Sequence, residues 1–158
     1  MRQIKTTDLA LICNLRSDAR TTLTELSKRT KVPISTVFDK LRNYENKFIL
    51  KHTTLLDFNK FGFFARANVI LKVGKKQVES IREYLSNHPN VNCLYKINNG
   101  FDFQVELIFK HMQYLEEFLD QLSSKFIIRQ KVVYYLLDDI KRESFMTDLQ
   151  SSQLMILN

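Results

Sequence analysis

Residues 22–45 read TLTELSKRTKVPISTVFDKLRNYE, and the architecture of the first part of the chain turns on them. Thr22 followed three residues later by Glu25 is a capping box: the threonine hydroxyl accepts from the third helical amide, and the carboxylate reaches back to the cap. A short helix with Leu23 and Leu26 inward therefore runs to about Thr30. Lys31-Val32-Pro33 interrupts it, and proline is tolerated in the first turn of a following helix, where its missing N–H would be unpaired anyway. That helix spans roughly Pro33 to Glu45. At about 100° per residue, Ile34, Val37, Leu41 and Tyr44 share one face. Ser35, Thr36, Asp39, Arg42 and Asn43 point the other way, with Lys40 on the flank.

Upstream, Thr7 reads as the cap of a helix carrying Asp8 in its first turn and Leu9, Ile12 and Leu15 at helical spacing. It ends near Arg16, before Ser17-Asp18-Ala19-Arg20. Two short helices joined by a tight turn, the second presenting hydrogen-bonding side chains, describe a helix-turn-helix whose second helix enters a major groove. An ordinary three-helix bundle with a polar outer face has the same periodicity. Charge separates the two readings. Residues 1–60 hold 12 Lys/Arg against 6 Asp/Glu and residues 61–158 hold 12 against 11, so nearly all of the net +7 lies in the first part. A polyanion suits that end, because neutralised phosphates release condensed counterions.

Beyond Lys47 the pattern changes. Residues 49–61 read as an extended linker strand. Gly62 introduces a strand, Phe63 to Val73, and Gly74 breaks it. Val78, Ile81 and Leu85 mark a helix that His88-Pro89-Asn90 stops. Val91 to Ile97 is a second strand, Asn98-Asn99-Gly100 a turn, and Phe101 to Phe109 a third strand. Leu115, Phe118, Leu119 and Leu122 give another helix, and Lys125 to Leu137 a final strand. This βαββαβ order is that of a ferredoxin-like domain, an antiparallel four-stranded sheet with both helices on one face. Phe63, Phe103 and Tyr135 are expected on the other face, where they would favour face-to-face dimerisation.

The expected organisation is α+β: a helix-turn-helix (winged-helix-like) domain over 1–48, the linker 49–61, the ferredoxin-like domain over 62–143 and a tail over 144–158. In the tail, Leu149, Leu154, Ile156 and Leu157 either pack on a partner subunit or fray.

The order and spacing of these features resemble the Lrp/AsnC (feast/famine) family of transcription regulators over about residues 6–143. The resemblance is carried by Asp8, Leu11-Ile12, Asp18-Ala19-Arg20, Glu25-Leu26, Val37, Lys40 (where arginine is usual), Glu45 and Ile49. Leu56-Asp57, Phe61-Gly62 and Asn99-Gly100-Phe101-Asp102 complete it. It implies double-stranded DNA as partner and a homodimer that assembles further to a tetramer or octamer. It also implies amino-acid effectors near the loop before the third strand, here Asn98, Asn99, Gly100 and Asp102. There are departures. Lys31 replaces the turn glycine, Pro33 the capping serine and Asn99 the effector-loop glycine; the stretch Glu45 to Ile49 is one residue short and lacks a glycine.

On this reading Ser35, Thr36, Asp39, Lys40 and Asn43 face bases. Lys28, Arg29, Lys31 and Arg42 contact phosphates, which adds affinity without sequence preference. Asp39 accepts from a cytosine amino group or orients Lys40 or Arg42. Asp102 either pins its turn or accepts from a ligand ammonium, the former being favoured. His52, His88 and His111 lack ligand spacing, and Cys13 and Cys93 sit in apolar patterns, so neither a metal nor a disulfide is expected. With no nucleophile–base pair and no phosphate-cradling glycine loop, neither an enzyme nor a cofactor is expected. No apolar run approaches a membrane span and the start resembles no signal peptide, so a cytoplasmic, sequence-specific DNA-binding regulator is expected. The alternative is an architectural DNA binder with little sequence preference, which phosphate contacts alone would serve.

Overall fold

The computed structural model describes residues 4–156. They form two compact units: the chain up to Leu55 together with Ile140 onward, and Leu56–Asp139.

The first unit holds α1 (Thr6–Ser17), α2 (Leu23–Thr30), α3 (Ile34–Glu45) and a C-terminal helix. The sequence capped α1 at Thr7. Instead Asp8 N and Leu9 N both donate to Lys5 O, which starts the helix earlier and makes Lys5 the cap. Leu11, Leu26, Val32, Val37 and Tyr44 are buried together, with Ile12, Leu15, Leu23, Leu41 and Ile49 packed against them. Leu9 and Cys13, one turn apart on α1, are also buried but stand outside this cluster. Their side of α1 receives the chain's last helix. The tail is no frayed end. Asp148 Oδ2 accepts from Ser151 N at 2.8 Å, the bond expected of a helix cap, and the helix Leu149–Ile156 (α6 in chain order) packs on α1. Arg16 binds Glu143 at 3.0 Å and the Phe145 carbonyl at 3.2 Å. Leu149 and Ile156 are half-buried, Leu154 is exposed, and Leu157 lies outside the described residues.

No strand forms over residues 49–61. A strand needs a neighbour to receive its amides, and within this chain that segment has no ladder; Phe58–Phe61 instead makes one 3-10 turn ended by Gly62 at φ 81°.

The second unit contains β1 (Ala65–Val73), α4 (Val78–Ser86), β2 (Val91–Lys96), β3 (Phe103–Phe109), α5 (Met112–Lys125) and β4 (Ile128–Tyr135). The sheet order is β2-β3-β1-β4, every pair antiparallel, which is the ferredoxin-like arrangement. Strict alternation along β1 places Ala65, Ala67, Val69, Leu71 and Val73 under the helices. They meet Ile81 and Leu85 of α4 and Leu115, Phe118, Leu119 and Leu122 of α5 in one core.

Register corrects the expected outer face. Phe103 pairs with Leu71 and Tyr135 with Ala67, so both side chains stand on the helix side. Phe103 is buried in the core and the Tyr135 hydroxyl donates to Glu116 of α5. Phe63 precedes β1 and lines a cleft with Ile108 of the uncovered face. The uncovered face carries Arg66, Asn68, Ile70 and Lys72 of β1, with Gln104, Glu106 and Ile108 opposite on β3 and Val132 and Tyr134 on β4.

Candidate nucleic-acid interface

The helix-turn-helix is built by short-range chemistry. Glu25 N donates to Thr22 Oγ1 at 3.2 Å while Thr22 N donates to Glu25 Oε2 at 3.0 Å, completing the capping box. The bond from the Thr22 backbone holds the Glu25 carboxyl below its ordinary range, helped by the Thr22 hydroxyl. At the other end Lys31 closes α2 in the left-handed conformation, φ 56° and ψ 30°. Ser27 Oγ donates to Val32 O at 2.6 Å, and Val32 turns inward. Pro33 stands at the cap of α3, one residue before its first turn; with no side-chain acceptor there, its fixed φ of −54° makes the entry.

Val37 and Tyr44 anchor α3 in the core and Leu41 packs beside them, so the opposite side is presented outward. Ser35, Thr36, Asp39, Arg42 and Asn43 are all exposed there, and Lys28, Arg29 and Lys31 are exposed at the end of α2 and in the turn. Arg29 also reaches Asn14 of α1 at 3.2 Å. Two expectations change. Ile34 is 47 % exposed, and Phe38, one turn on, is 52 % exposed. The sequence reading passed over Phe38, though its i, i+4 relation to Ile34 was the available signal. Lys40 does not join the outward group. Its ammonium is ion-paired with Asp8 of α1, and the Tyr44 hydroxyl donates to the same Asp8 oxygen at 2.6 Å. Burial pushes the Asp8 carboxyl up, but the Lys40 and Tyr44 hydrogen bonds outweigh it and hold the group below its ordinary value. Burial and the adjacent carboxylate together drive the Tyr44 hydroxyl well above its own.

In the second unit the turn between β2 and β3 exposes Asn98, Asn99 and Gly100. Asn99 (φ 61°) and Gly100 (φ 86°) are both left-handed, which asparagine tolerates. Asp102 is committed to the sheet: its Oδ2 accepts from Val73 N at 2.8 Å, and its own amide donates to Leu71 O at 2.9 Å. The carboxylate thus ties the turn to the end of β1.

A further polar group went unnoticed in the sequence. On the uncovered sheet face Arg66 binds Glu106 at 2.9 Å and Asp139 at 2.7 Å, and Asn92 donates to Glu106 at 2.6 Å. The Asp139 bond, outweighing partial burial, raises the Arg66 guanidinium pKa further; burial pushes Glu106 up, but Arg66 and Asn92 hold it low. Polar residues at alternate positions of β1 were the signal. No group of three or more metal-ligating side chains occurs among the described residues, and no described helix is long and apolar enough to cross a membrane.

Two sequence families match this chain: a winged helix-turn-helix DNA-binding domain over residues 4–47 and the Lrp/AsnC ligand binding domain over residues 66–144. The HTH-type transcriptional regulator FL11 of Pyrococcus horikoshii is 27% identical over 118 residues, covering 74% of this chain and 78% of that protein. LrpC of Bacillus subtilis is 26% identical over 117 residues, 73% of this chain and 81% of LrpC. The solved structure of B. subtilis LrpC superposes with a TM-score of 0.80 at 22% identity, covering 88% of this chain and 98% of that one. A transcriptional regulator from Neisseria meningitidis, solved as its complex with L-Met, gives a TM-score of 0.81 at 19% identity over 89% of this chain and 94% of that one.

Proposed function

Because this chain belongs to the Lrp/AsnC family of HTH-type transcriptional regulators, we propose that it regulates transcription by reading a specific double-stranded DNA site with the outward side of α3. The observation that carries this reading is the exposed row Ser35, Thr36, Asp39 and Asn43 on a helix anchored by Val37 and Tyr44, with Lys28, Lys31 and Arg42 exposed around it. Hydroxyl and amide groups match the donors and acceptors of base edges, and Asp39 suits a cytosine amino group. The cations, Arg29 among them, suit phosphates, which set register and affinity. Working on DNA, the protein acts in the cytoplasm and not as an enzyme.

The functional form is a homodimer, joined through the uncovered sheet face. Ile70, Ile108 and Val132 lie there, with Tyr134 half exposed, and an open sheet face of that composition is a natural self-complementary surface. Two copies of α3 then meet half-sites about 34 Å or a multiple apart, and dimers assemble into a tetramer or octamer. An amino-acid effector binds beside the turn Asn98, Asn99, Gly100 and Asp102. The L-Met complex of the Neisseria protein supports that ligand class.

The test is selection of bound fragments from random double-stranded DNA, followed by titration against salt. An enriched, roughly palindromic site is the expected result. Salt-sensitive binding with no enriched site would instead establish an architectural binder. No binding, with or without amino acids, would refute the reading.

A further inference from the structure

Lys40 and Tyr44 are one turn apart on α3 and converge on a single oxygen of Asp8, in the first turn of α1. Elsewhere α3 packs through Val37, Leu41 and Tyr44 against the cluster built on Leu11 and Leu26, and its exposed last residue, Glu45, meets His52 at 3.5 Å. The apolar contacts choose which side of α3 faces outward, but being non-directional they leave the fine rotation of the helix about its own axis loosely set. A charged, two-donor hydrogen bond does fix it. The Lys40 and Asp8 side chains retain 27% and 21% of their exposure, too little for the ammonium to be an ordinary surface charge. Pairs of partly buried charges add little net stability, and their best-attested role is to select one arrangement over its neighbours. The roll of α3 decides which of Ser35, Thr36, Asp39 and Asn43 meets which base.

We propose that Asp8, Lys40 and Tyr44 form a clamp that sets the roll of the recognition helix, so that Lys40 is a positioning residue for DNA recognition and not itself a DNA contact. The inference rests on the reading that α3 faces DNA. Charge makes it testable. Asp8→Asn raises the net charge by one, and on electrostatics alone would strengthen binding to any DNA. Lys40→Met lowers the net charge by one. A clamp demands that these opposite charge changes have the same effect.

The experiment uses the full chain, the duplex obtained by selection, and a random-sequence duplex, titrated at several salt concentrations. Asp8→Asn and Lys40→Met are each expected to lower the preference for the selected site about tenfold, equivalent to 1.4 kcal/mol. The salt slope should stay at its parental value, the double variant should be no worse than either single one, and Lys40→Arg should keep the preference. Lys40→Met lowering the slope by about 1 while Asp8→Asn binds like the parent would make Lys40 a phosphate contact and overturn the proposal. Unchanged preference in both variants would overturn it too. Circular dichroism checks that each variant folds. Should either charge variant unfold, Tyr44→Phe keeps both charges and removes one hydrogen bond. A loss of preference with the fold intact supports the clamp, and parental preference overturns it. Asn43→Ala and Ser35→Ala separate the two levels: if both keep the preference, the reading of α3 itself fails; if they lose it and the clamp variants do not, only the clamp fails.

Discussion

Lys31 offers a substitution whose effects on stability and on DNA binding have opposite signs. It closes α2 with φ 56° and ψ 30°, a conformation that costs an L-residue roughly 1–2 kcal/mol and glycine almost nothing. Lys31→Gly removes that strain. It also frees the unfolded chain, which returns about 0.4–1 kcal/mol to the denatured state. The difference is a net stabilisation of about 0.5–1 kcal/mol. In a domain of this size that corresponds to a rise of about 2–8 °C in the midpoint, at about 4–8 °C per kcal/mol. The same substitution deletes an exposed cation next to α3. If Lys31 neutralises a phosphate, the slope of log K against log salt becomes shallower by about 0.9. The chain has no tryptophan, so far-ultraviolet circular dichroism follows unfolding and hydrogen exchange at the α2 amides assigns it to the first unit. Lys31→Ala is the control, because it loses the charge and keeps the strain. Its salt slope should match that of Lys31→Gly while its stability stays at or below the parental level. A destabilised Lys31→Gly, or equal stabilities for the two variants, would refute the strain argument; an unchanged slope would remove Lys31 from the interface.

Three further outcomes follow from single contacts. Asp102→Ala leaves the buried Val73 amide without its acceptor and should cost about 1–3 kcal/mol by denaturant titration. Asp102→Asn keeps an acceptor oxygen and should be nearly neutral in stability, so a loss of amino-acid response in that variant would isolate a ligand role. His88 packs on Phe118 at 4.5 Å between centroids, its Nδ1 accepts from Asn90 N, and partial burial lowers its pKa from 6.5. The folded state therefore binds the proton less tightly than the unfolded chain. Its contribution is full above pH 6.5 and is lost as pH falls through the depressed folded value, so the midpoint of the second unit should drop on acidification and drop less in His88→Gln. Ending the chain at Glu143 removes α6 from the side of α1 that buries Leu9 and Cys13. The loss should be roughly 1.5–3 kcal/mol, about one buried apolar side chain, and appear in exchange of the α1 amides. Parental protection of α1 would mean that the last helix is an appendage.

What the sequence made legible was local. The capping box of α2, the break at Lys31 to Pro33 and the alternation of β1 are each set by side chains within a few residues of one another, so spacing reveals them. The start of α1 was misplaced because a backbone carbonyl, Lys5 O, won over a plausible threonine cap. The outer sheet face was misassigned because size was followed instead of parity. A phenylalanine announces burial but not the side on which it is buried, whereas Arg66, Asn68 and Lys72 on β1 mark the uncovered face directly. The tail helix was hidden by its brevity. Its cap, Asp148 to Ser151, is readable, but its burial depends on α1, more than a hundred residues away.

Charge shows the same divide between composition and site. The excess of cations in the first sixty residues argues for a polyanion, yet those cations are not equivalent once the chain folds. Lys40 is neutralised by Asp8, and Arg16 is held by Glu143 from beyond the second unit's chain segment. Arg29 is partly drawn to Asn14. Lys5, Arg20, Lys47 and Lys51 are exposed elsewhere in the first unit, and beside the exposed side of α3 the positive charge left to address phosphates is that of Lys28, Lys31 and Arg42. A salt slope counts phosphates actually neutralised. The fold therefore predicts a slope set by this small group, with Arg29 at its margin, well below what the twelve basic residues of that stretch would give. A slope that demanded more contacts than that per chain would bring in the exposed Lys5, Arg20, Lys47 or Lys51, or require Lys40 or Arg16 to abandon its carboxylate on binding DNA.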